Sequence, residues 1–318
     1  MKKLLALALT MVMGLGVLTG CSEKDDTITV GIVQIVEHTS LDMIRESLVA
    51  QLEAKGYADG QNIKIDYQNA QGDQSNLNSI CKKFVGDDVD VTIAIATPSA
   101  QAAAAATSDI PIVFSAVTDP VAAKLVANLE KPEGNITGTS DAIPVDQVFE
   151  LSKELTPEVK TFGFLYTASE VNSQSVIEHA KSLAGEYGFD YEEVTITNTS
   201  ELQQAAYSLA NKVDAIYTPI DNGIASAMTV LSAVGKETKI PVYVGADSMV
   251  MDGAYATVGI NYEDLGRQTA DMVVEVLNGK PVGDIPVATL SQFQKVINKT
   301  TAETIGAPAE IDGAIIVE

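Results

Sequence analysis

The sequence predicts an α/β protein of two similar lobes, each a doubly wound parallel sheet, joined by a hinge. Three observations predict it. The length of 318 residues suits two units of roughly 150 residues each. Short apolar, β-rich runs alternate with helical periodicity, and this alternation demands a parallel sheet, because parallel strands need crossovers and the helices must bury an apolar side. The alternation then restarts near Lys160 with related wording. Val30-Gly31-Ile32 matches Phe162-Gly163-Phe164, Ala94-Ile95-Ala96-Thr97-Pro98 matches Ala215-Ile216-Tyr217-Thr218-Pro219, and Asp109-Ile110-Pro111-Ile112-Val113 matches Lys239-Ile240-Pro241-Val242-Tyr243, in the same order.

In the first half, residues 28–36 are rich in Ile and Val and suit a strand. Leu41, Ile44, Leu48 and Leu52 then recur at helical spacing, and Gly56 is placed to stop that helix. Ile63, Ile65 and Tyr67 alternate at period two as a second strand. Leu77, Ile80, Cys81 and Phe84 fall on one helical stripe; residues 91–96 give a strand, 99–107 an Ala-rich helix and 110–117 a further strand. In the second half the strands are 161–166, 191–196, 215–217, 242–245 and 255–260, with helices from about 172 to 187 and from about 201.

The chain begins with a different kind of segment. Lys2 and Lys3 precede an apolar run from Leu4 to Leu18 that is short for a membrane span and reads as an export signal over residues 1–20. Leu18-Thr19-Gly20-Cys21 resembles the bacterial lipobox, whose cysteine is acylated and becomes the N-terminus after cleavage. Acyl chains on Cys21 would anchor the protein to a membrane face, with residues 21–26 as a polar tether. Cys81 is then the one remaining thiol, so no internal disulfide forms, and its place on an apolar stripe makes it a core residue.

Composition excludes several classes. The chain has 43 acidic residues against 20 basic ones, a charge of −23 that repels phosphate backbones and disfavours nucleic acid. Its apolar content of 46% fits a globular body rather than a multi-spanning or disordered chain. Walker A, Gly-x-Ser-x-Gly and His-Glu-x-x-His motifs do not occur, and two histidines with one unacylated cysteine leave few zinc ligands. No metal, cofactor or catalytic residue is expected, and the protein is read as a binding protein rather than an enzyme.

Paired α/β lobes bind ligands in the cleft lined by loops that follow the strand carboxyl ends. Here those loops are rich in hydroxyls, amides and carboxylates, and most precede a helix. Ser99, Ala100, Thr118, Ser140 and Ser173 suit the binding of a ligand carboxylate through hydroxyls and free helical N–H groups. Asp141, Asp221 and Asp247 suit an ammonium, so the site fits a zwitterion. The same residue types are also ordinary helix N-caps. Glu37 with His38 is a candidate acid/base pair or a structural strand end, and His179 falls on a solvated helix face. An exported hydrolase would have only Ser99 or Ser140 near His38 to work with. The chain has no Trp; Tyr166, Tyr217, Phe114 and Tyr262 near strand ends either stack on a ligand ring or pack in the lobe cores, the commoner fate of strand aromatics.

Several strings together carry a family resemblance. They are Gln34-Ile35-Val36-Glu37-His38 with Leu41-Asp42, Asp66-Tyr67-Gln68-Asn69-Ala70-Gln71-Gly72-Asp73, Ala96-Thr97-Pro98-Ser99-Ala100-Gln101-Ala102, Val117-Thr118-Asp119-Pro120, Gly138-Thr139-Ser140-Asp141, Asp214-Ala215-Ile216-Tyr217 with Asp221-Asn222, and Gly259-Ile260-Asn261-Tyr262 with Leu265-Gly266-Arg267-Gln268. In these the chain resembles the tryptophan- and tyrosine-binding lipoproteins of ABC transporters. The resemblance implies a type I periplasmic-binding fold whose lobes close over an amino acid, often aromatic, and deliver it to a permease driven by a cytoplasmic ATPase. It implies lobe 1 over residues 27–140 with 262–287 and lobe 2 over 141–261 with 288–318, crossed by the hinge near 140, 262 and 288. The implied cleft residues are Glu37, Thr97, Ser99, Ala100, Thr118, Asp119, Ser140, Asp141, Asn172, Ser173, Asp221, Asn222 and Asp247. Residues 168–171 and Ile220 depart from the family's usual wording, which bears on side-chain selectivity. A monomer held outside the cytoplasm by its lipid anchor is expected; the alternative is a lipid-anchored sensor or adhesion lipoprotein that uses the same lobes without transport.

Overall fold

The computed structural model describes residues 27–318; the expected export signal and Cys21 lie outside the described residues. The first half supplies β1 (Ile28–Gln34), α1 (Thr39–Ala54), β2 (Ile63–Asn69), α2 (Gln74–Gly86), β3 (Val91–Ile95), α3 (Thr97–Ala106), β4 (Ile112–Ser115) and β5 (Ile136–Ser140). The second supplies α4 (Val145–Leu155), β6 (Thr161–Thr167), α5 (Val171–Ala184), β7 (Asp190–Ile196), α6 (Leu202–Ala210), β8 (Ala215–Thr218), α7 (Asn222–Ser226), α8 (Met228–Thr238), β9 (Val242–Val244), α9 (Asp247–Met251) and β10 (Ala256–Gly259). The chain ends with α10 (Tyr262–Leu277), β11 (Ala288–Thr289), β12 (Gln294–Asn298), α11 (Lys299–Ile305) and β13 (Ile315–Val317).

Two sheets result, ordered β11-β5-β4-β3-β1-β2 and β13-β12-β10-β9-β8-β6-β7. Strands one to five of each half thus occupy equivalent places, as the repeated wording predicts. Central strands such as β3 and β8 are wholly buried, since helices cover both faces, whereas the edge strand β2 is mostly half-buried and the edge strand β7 is largely exposed. Glycine marks the same close approach in both halves. A Cβ on Gly31 would lie 2.8 Å from the Phe84 ring of α2, and one on Gly163 would lie 2.6 Å from Leu209 of α6.

The chain passes between the sheets after β5, after β10 and after β11. Ala288 and Thr289, expected to open the return to lobe 2, instead pair in parallel with Thr139 and Ser140 of the first sheet. The two sheets are parallel as expected except at one pairing, where β12 runs antiparallel to β10. The reason is directional. The chain leaves β11 at the carboxyl, inter-lobe end of the first sheet, so it enters the second sheet from its inter-lobe side and must run away from it. α10 returns to pack along α1 and against β4 and β5.

The lobes differ in filling. In the first, α1, α2 and the sheet bury mainly Ile, Leu, Val and Ala. One face of the second sheet is packed instead with aromatics from β6, β8, β9, helix α4 and the residue before β10: Phe149, Phe162, Phe164, Tyr217, Tyr243 and Tyr255. Cys81 is buried and free, and burial pushes its thiol up to about 11, which leaves it unreactive. No helix among the described residues is long and apolar enough to cross a membrane.

Candidate ligand-binding cleft

The cleft is built from the turns at the carboxyl ends of both sheets. β3 runs straight into α3 through Ala96, held at φ 76°, and the neighbouring strand β4 is followed by Ala116, φ 56°. Two non-glycine residues in the left-handed region, side by side, mark a backbone that the surrounding packing overrides. The turn at Ala96 buries Thr97 and Ser99 in the first turn of α3, and neither hydroxyl has a hydrogen-bond partner among the described residues. Pro98 and Gln101, on the same turns, line an inter-lobe cavity of about 430 Å³ shared with Glu170 and Asn222 of the second lobe. Ala100 is buried too, but its N–H is committed to Ala96 O at 3.1 Å and is not a free donor.

Next to α3, Thr118 donates to Asp141 Oδ1 at 2.8 Å and Tyr262 donates to Oδ2 at 3.3 Å. Asp141 sits at the first crossing between the sheets and Tyr262 at the second, so their contact ties the two crossing segments together. Burial pushes the Asp141 carboxyl up to about 6 against the pull of these two donors. Ser140 donates to Thr118 O at 3.1 Å and accepts from Ala142 N at 3.2 Å, so it shapes the turn. Asp119 accepts from Ala122 N and, across the cleft, from Ser175 at 2.7 Å.

In the second lobe the carboxylates are already engaged. Asp221 accepts four hydrogen bonds from its own lobe: Thr167 N at 2.7 Å, Thr167 Oγ1 at 2.8 Å, Ser173 Oγ at 2.8 Å and Ile224 N at 2.9 Å. It caps α7 and fastens the turn after β6, rather than standing free for an ammonium; Ser173, expected to hold a carboxylate, commits its proton to Asp221. Glu170, which sequence reasoning missed, is buried beside it and accepts from Asn172 Nδ2, Asn222 N, Asn222 Nδ2 and Gly223 N at 2.7–3.0 Å. Burial, and after it the charge of Asp221, push Glu170 well above the usual carboxylate range. Asn172 also donates to Ile220 O at 2.8 Å, and its buried Oδ1 has no partner among the described residues. Asp247, at the start of α9, is half-buried, accepts from Ser248 N at 2.7 Å, and is pushed up to about 6 by burial.

The first loop behaves differently from the expected acid/base pair. Glu37 is exposed at the rim, whereas His38 is buried and faces Asn222 Oδ1 at 3.4 Å. Burial lowers His38 to about 4, so the ring is neutral; its nitrogen turns to Asn222, not to Ser99 or Ser140. His179 is exposed, as expected of a solvated face. The four candidate stacking aromatics are all buried in the cores. Tyr166 donates to Glu193, and the Tyr217 hydroxyl has no partner among the described residues. The signal that would have found Glu170 is only its position: a carboxylate in the turn facing Asp221, a pairing visible once β6 and β8 are known to be neighbours.

Comparison with known proteins agrees with this geometry. A family model described as ABC transporter substrate binding protein matches residues 29–311. A Tyrosine-binding protein of Clostridioides difficile is 45% identical over 96% of this chain and 92% of its own length. Among solved structures, an ABC domain in complex with L-Trp from Streptococcus pneumoniae superposes with a TM-score of 0.89 at 40% identity, covering 92% of this chain and all of that one. The ligand-free, open structure of a substrate binding protein with adhesive properties from Clostridium difficile is more alike in sequence, at 44% over 92% of this chain and 99% of the other, yet superposes at only 0.71. The lobes here are therefore arranged as in the ligand-holding relative.

Proposed function

The chain belongs to the ABC transporter substrate-binding family, and from that premise we propose that it is a lipid-anchored receptor whose lobes close over an aromatic amino acid and hand it to an ABC permease. One observation carries the ligand class. At the start of α3, Thr97 and Ser99 are buried hydroxyls without partners among the described residues, and across the cleft Asn172 Oδ1 is likewise unmatched there. Buried polar atoms are normally satisfied, so this set fits a small polar ligand enclosed between the lobes. The L-Trp complex and the Tyrosine-binding relative support an aromatic amino acid as that ligand.

In this reading α3 and its two hydroxyls receive the carboxylate, aided by the positive end of a ten-residue helix. Asp141 receives the ammonium, since Asp221 is fully engaged by its own lobe. Binding is the whole of the chemistry; the family is one of binding proteins, not enzymes. Lobe 1 comprises residues 27–140 with 262 to about 290, and lobe 2 the remainder, with the hinge at the three crossings. Cys21 carries the anchor on the extracytoplasmic face of the membrane, and the receptor works as a monomer.

A thermal-shift screen against the twenty amino acids tests the ligand class. At 100 times Kd a ligand stabilises by roughly 2.7 kcal/mol. A shift confined to L-tyrosine, L-tryptophan or L-phenylalanine is expected; a shift with other amino acids only, or with none, removes the aromatic assignment. The adhesive relative favours a second role at the cell surface, and adherence of cells lacking this chain, unchanged from the parent, would dismiss it.

A further inference from the structure

Three consecutive residues at the start of α1 reach two segments of the second lobe, the start of α7 and the short helix α9 with its C-cap Asp252. His38 faces Asn222, Thr39 donates to the two carboxylate oxygens of Asp252 at 3.0 and 3.2 Å, and Ser40 shares a hydrogen bond with Ser248. The helix they begin has no side-chain cap of its own. Its unsatisfied N–H groups and positive dipole end favour the Asp252 carboxylate on the opposing lobe. Because α1 is packed along α10, whatever holds residues 38–40 holds lobe 1 as a body.

The partner side is fixed as well. Asn222 directs Nδ2 to Glu170 at 2.7 Å, so the amide must present Oδ1 to His38, and the neutral imidazole must carry its proton on Nε2. A cavity of about 210 Å³ shared by the two lobes lies beside these contacts, and Thr97, Ser99 and Asp141 are not among its lining residues. The contacts are thus built between the lobes without using the groups assigned to the ligand.

We propose that His38-Thr39-Ser40 is a closure clasp that sets the lifetime of the closed state through Asn222, Asp252 and Ser248, with Glu170 as the residue that positions Asn222. The clasp rests on the reading that the lobes close over a ligand, but its test does not need the ligand's identity. Ser40 and Ser248 are close enough for a disulfide staple. In protein carrying Ser40→Cys/Ser248→Cys and Cys21→Ala, the rate of cross-linking by oxidised glutathione reports how often the lobes meet; buried Cys81 stays out of the exchange.

Adding Thr39→Val should slow cross-linking on the order of tenfold, the effect of one hydrogen bond to a charged acceptor, and His38→Ala by a smaller factor. Unchanged cross-linking in Thr39→Val overturns the clasp. Glu170→Gln should slow cross-linking while His38 is present and add nothing in His38→Ala; a full additional slowing there would show a merely structural Glu170 and remove its positioning role. With Ser40 and Ser248 intact, Thr39→Val should raise the dissociation rate of L-tyrosine or L-tryptophan and leave the association rate in place. A fall in association alone would make Thr39 a ligand contact and overturn the proposal. If neither amino acid binds the parent protein, the proposed ligand class falls, and the cross-linking rates still decide the clasp.

Discussion

The two lobes share a strand order but prepare their faces of the cleft in opposite ways. In lobe 2, Asp221 and Glu170 gather eight hydrogen bonds from the turns after β6 and β8, so that face is organised before any ligand arrives. In lobe 1, α3 follows β3 through a left-handed alanine and leaves two buried hydroxyls unmatched. One lobe is a rigid wall and the other holds unused bonding capacity. A single fold, used twice, has been specialised by loop chemistry alone.

The largest effect should come from the wall. Asp221→Ala strips the acceptor from four buried or half-buried donors and should cost about 3 kcal/mol or more in urea unfolding. A loss of only about 1 kcal/mol, the worth of an ordinary N-cap, would break the contrast between the lobes. Gly31→Ala and Gly163→Ala probe the equivalence instead. Each new methyl meets a helix side chain well inside contact distance, and each should cost about 1–3 kcal/mol in thermal unfolding. Clearly unequal costs would show that the two sheets hold their helices with different slack.

Ser99→Ala should do the reverse of Asp221→Ala. It should leave unfolding unchanged or slightly improved, because the hydroxyl has no partner among the described residues, and should weaken ligand binding about tenfold by calorimetry. The last prediction concerns protons. If the ammonium pairs with ionised Asp141, affinity is full above about pH 6 and falls about tenfold for each unit below it. Stability has its own slope. His38 is held at about 4 against an ordinary 6.5, so the unfolded chain takes up its proton first, and its contribution is complete above 6.5 and lost as the pH falls toward 4.

Much of this was legible in the sequence. Apolar runs such as 91–95 and stripes such as Leu77, Cys81 and Phe84 report burial directly, because period is geometry. The loops of the cleft followed from strand ends. What sequence could not supply was side-chain direction: Glu37 points out while its neighbour His38 points in, and Asp221 turns to its own lobe although its composition suits a ligand amine. Glu170 was invisible because a lone Glu after a strand carries no local pattern; only the pairing of β6 with β8 brings it to Asp221. The antiparallel β12 was missed for a related reason, since strand direction depends on which side the chain enters from.

The aromatic core of lobe 2 has an optical consequence. The chain contains ten tyrosines and no tryptophan, and Tyr217, Tyr243 and Tyr255 lie buried in that lobe. Light absorbed by those phenols has no indole within the protein to which it can pass. A tryptophan held in the cleft becomes the sole energy acceptor, and its sensitised emission counts occupied molecules without a dye. Tyrosine in the same place would produce no such band, so one spectrum separates two ligands that a calorimeter would record alike.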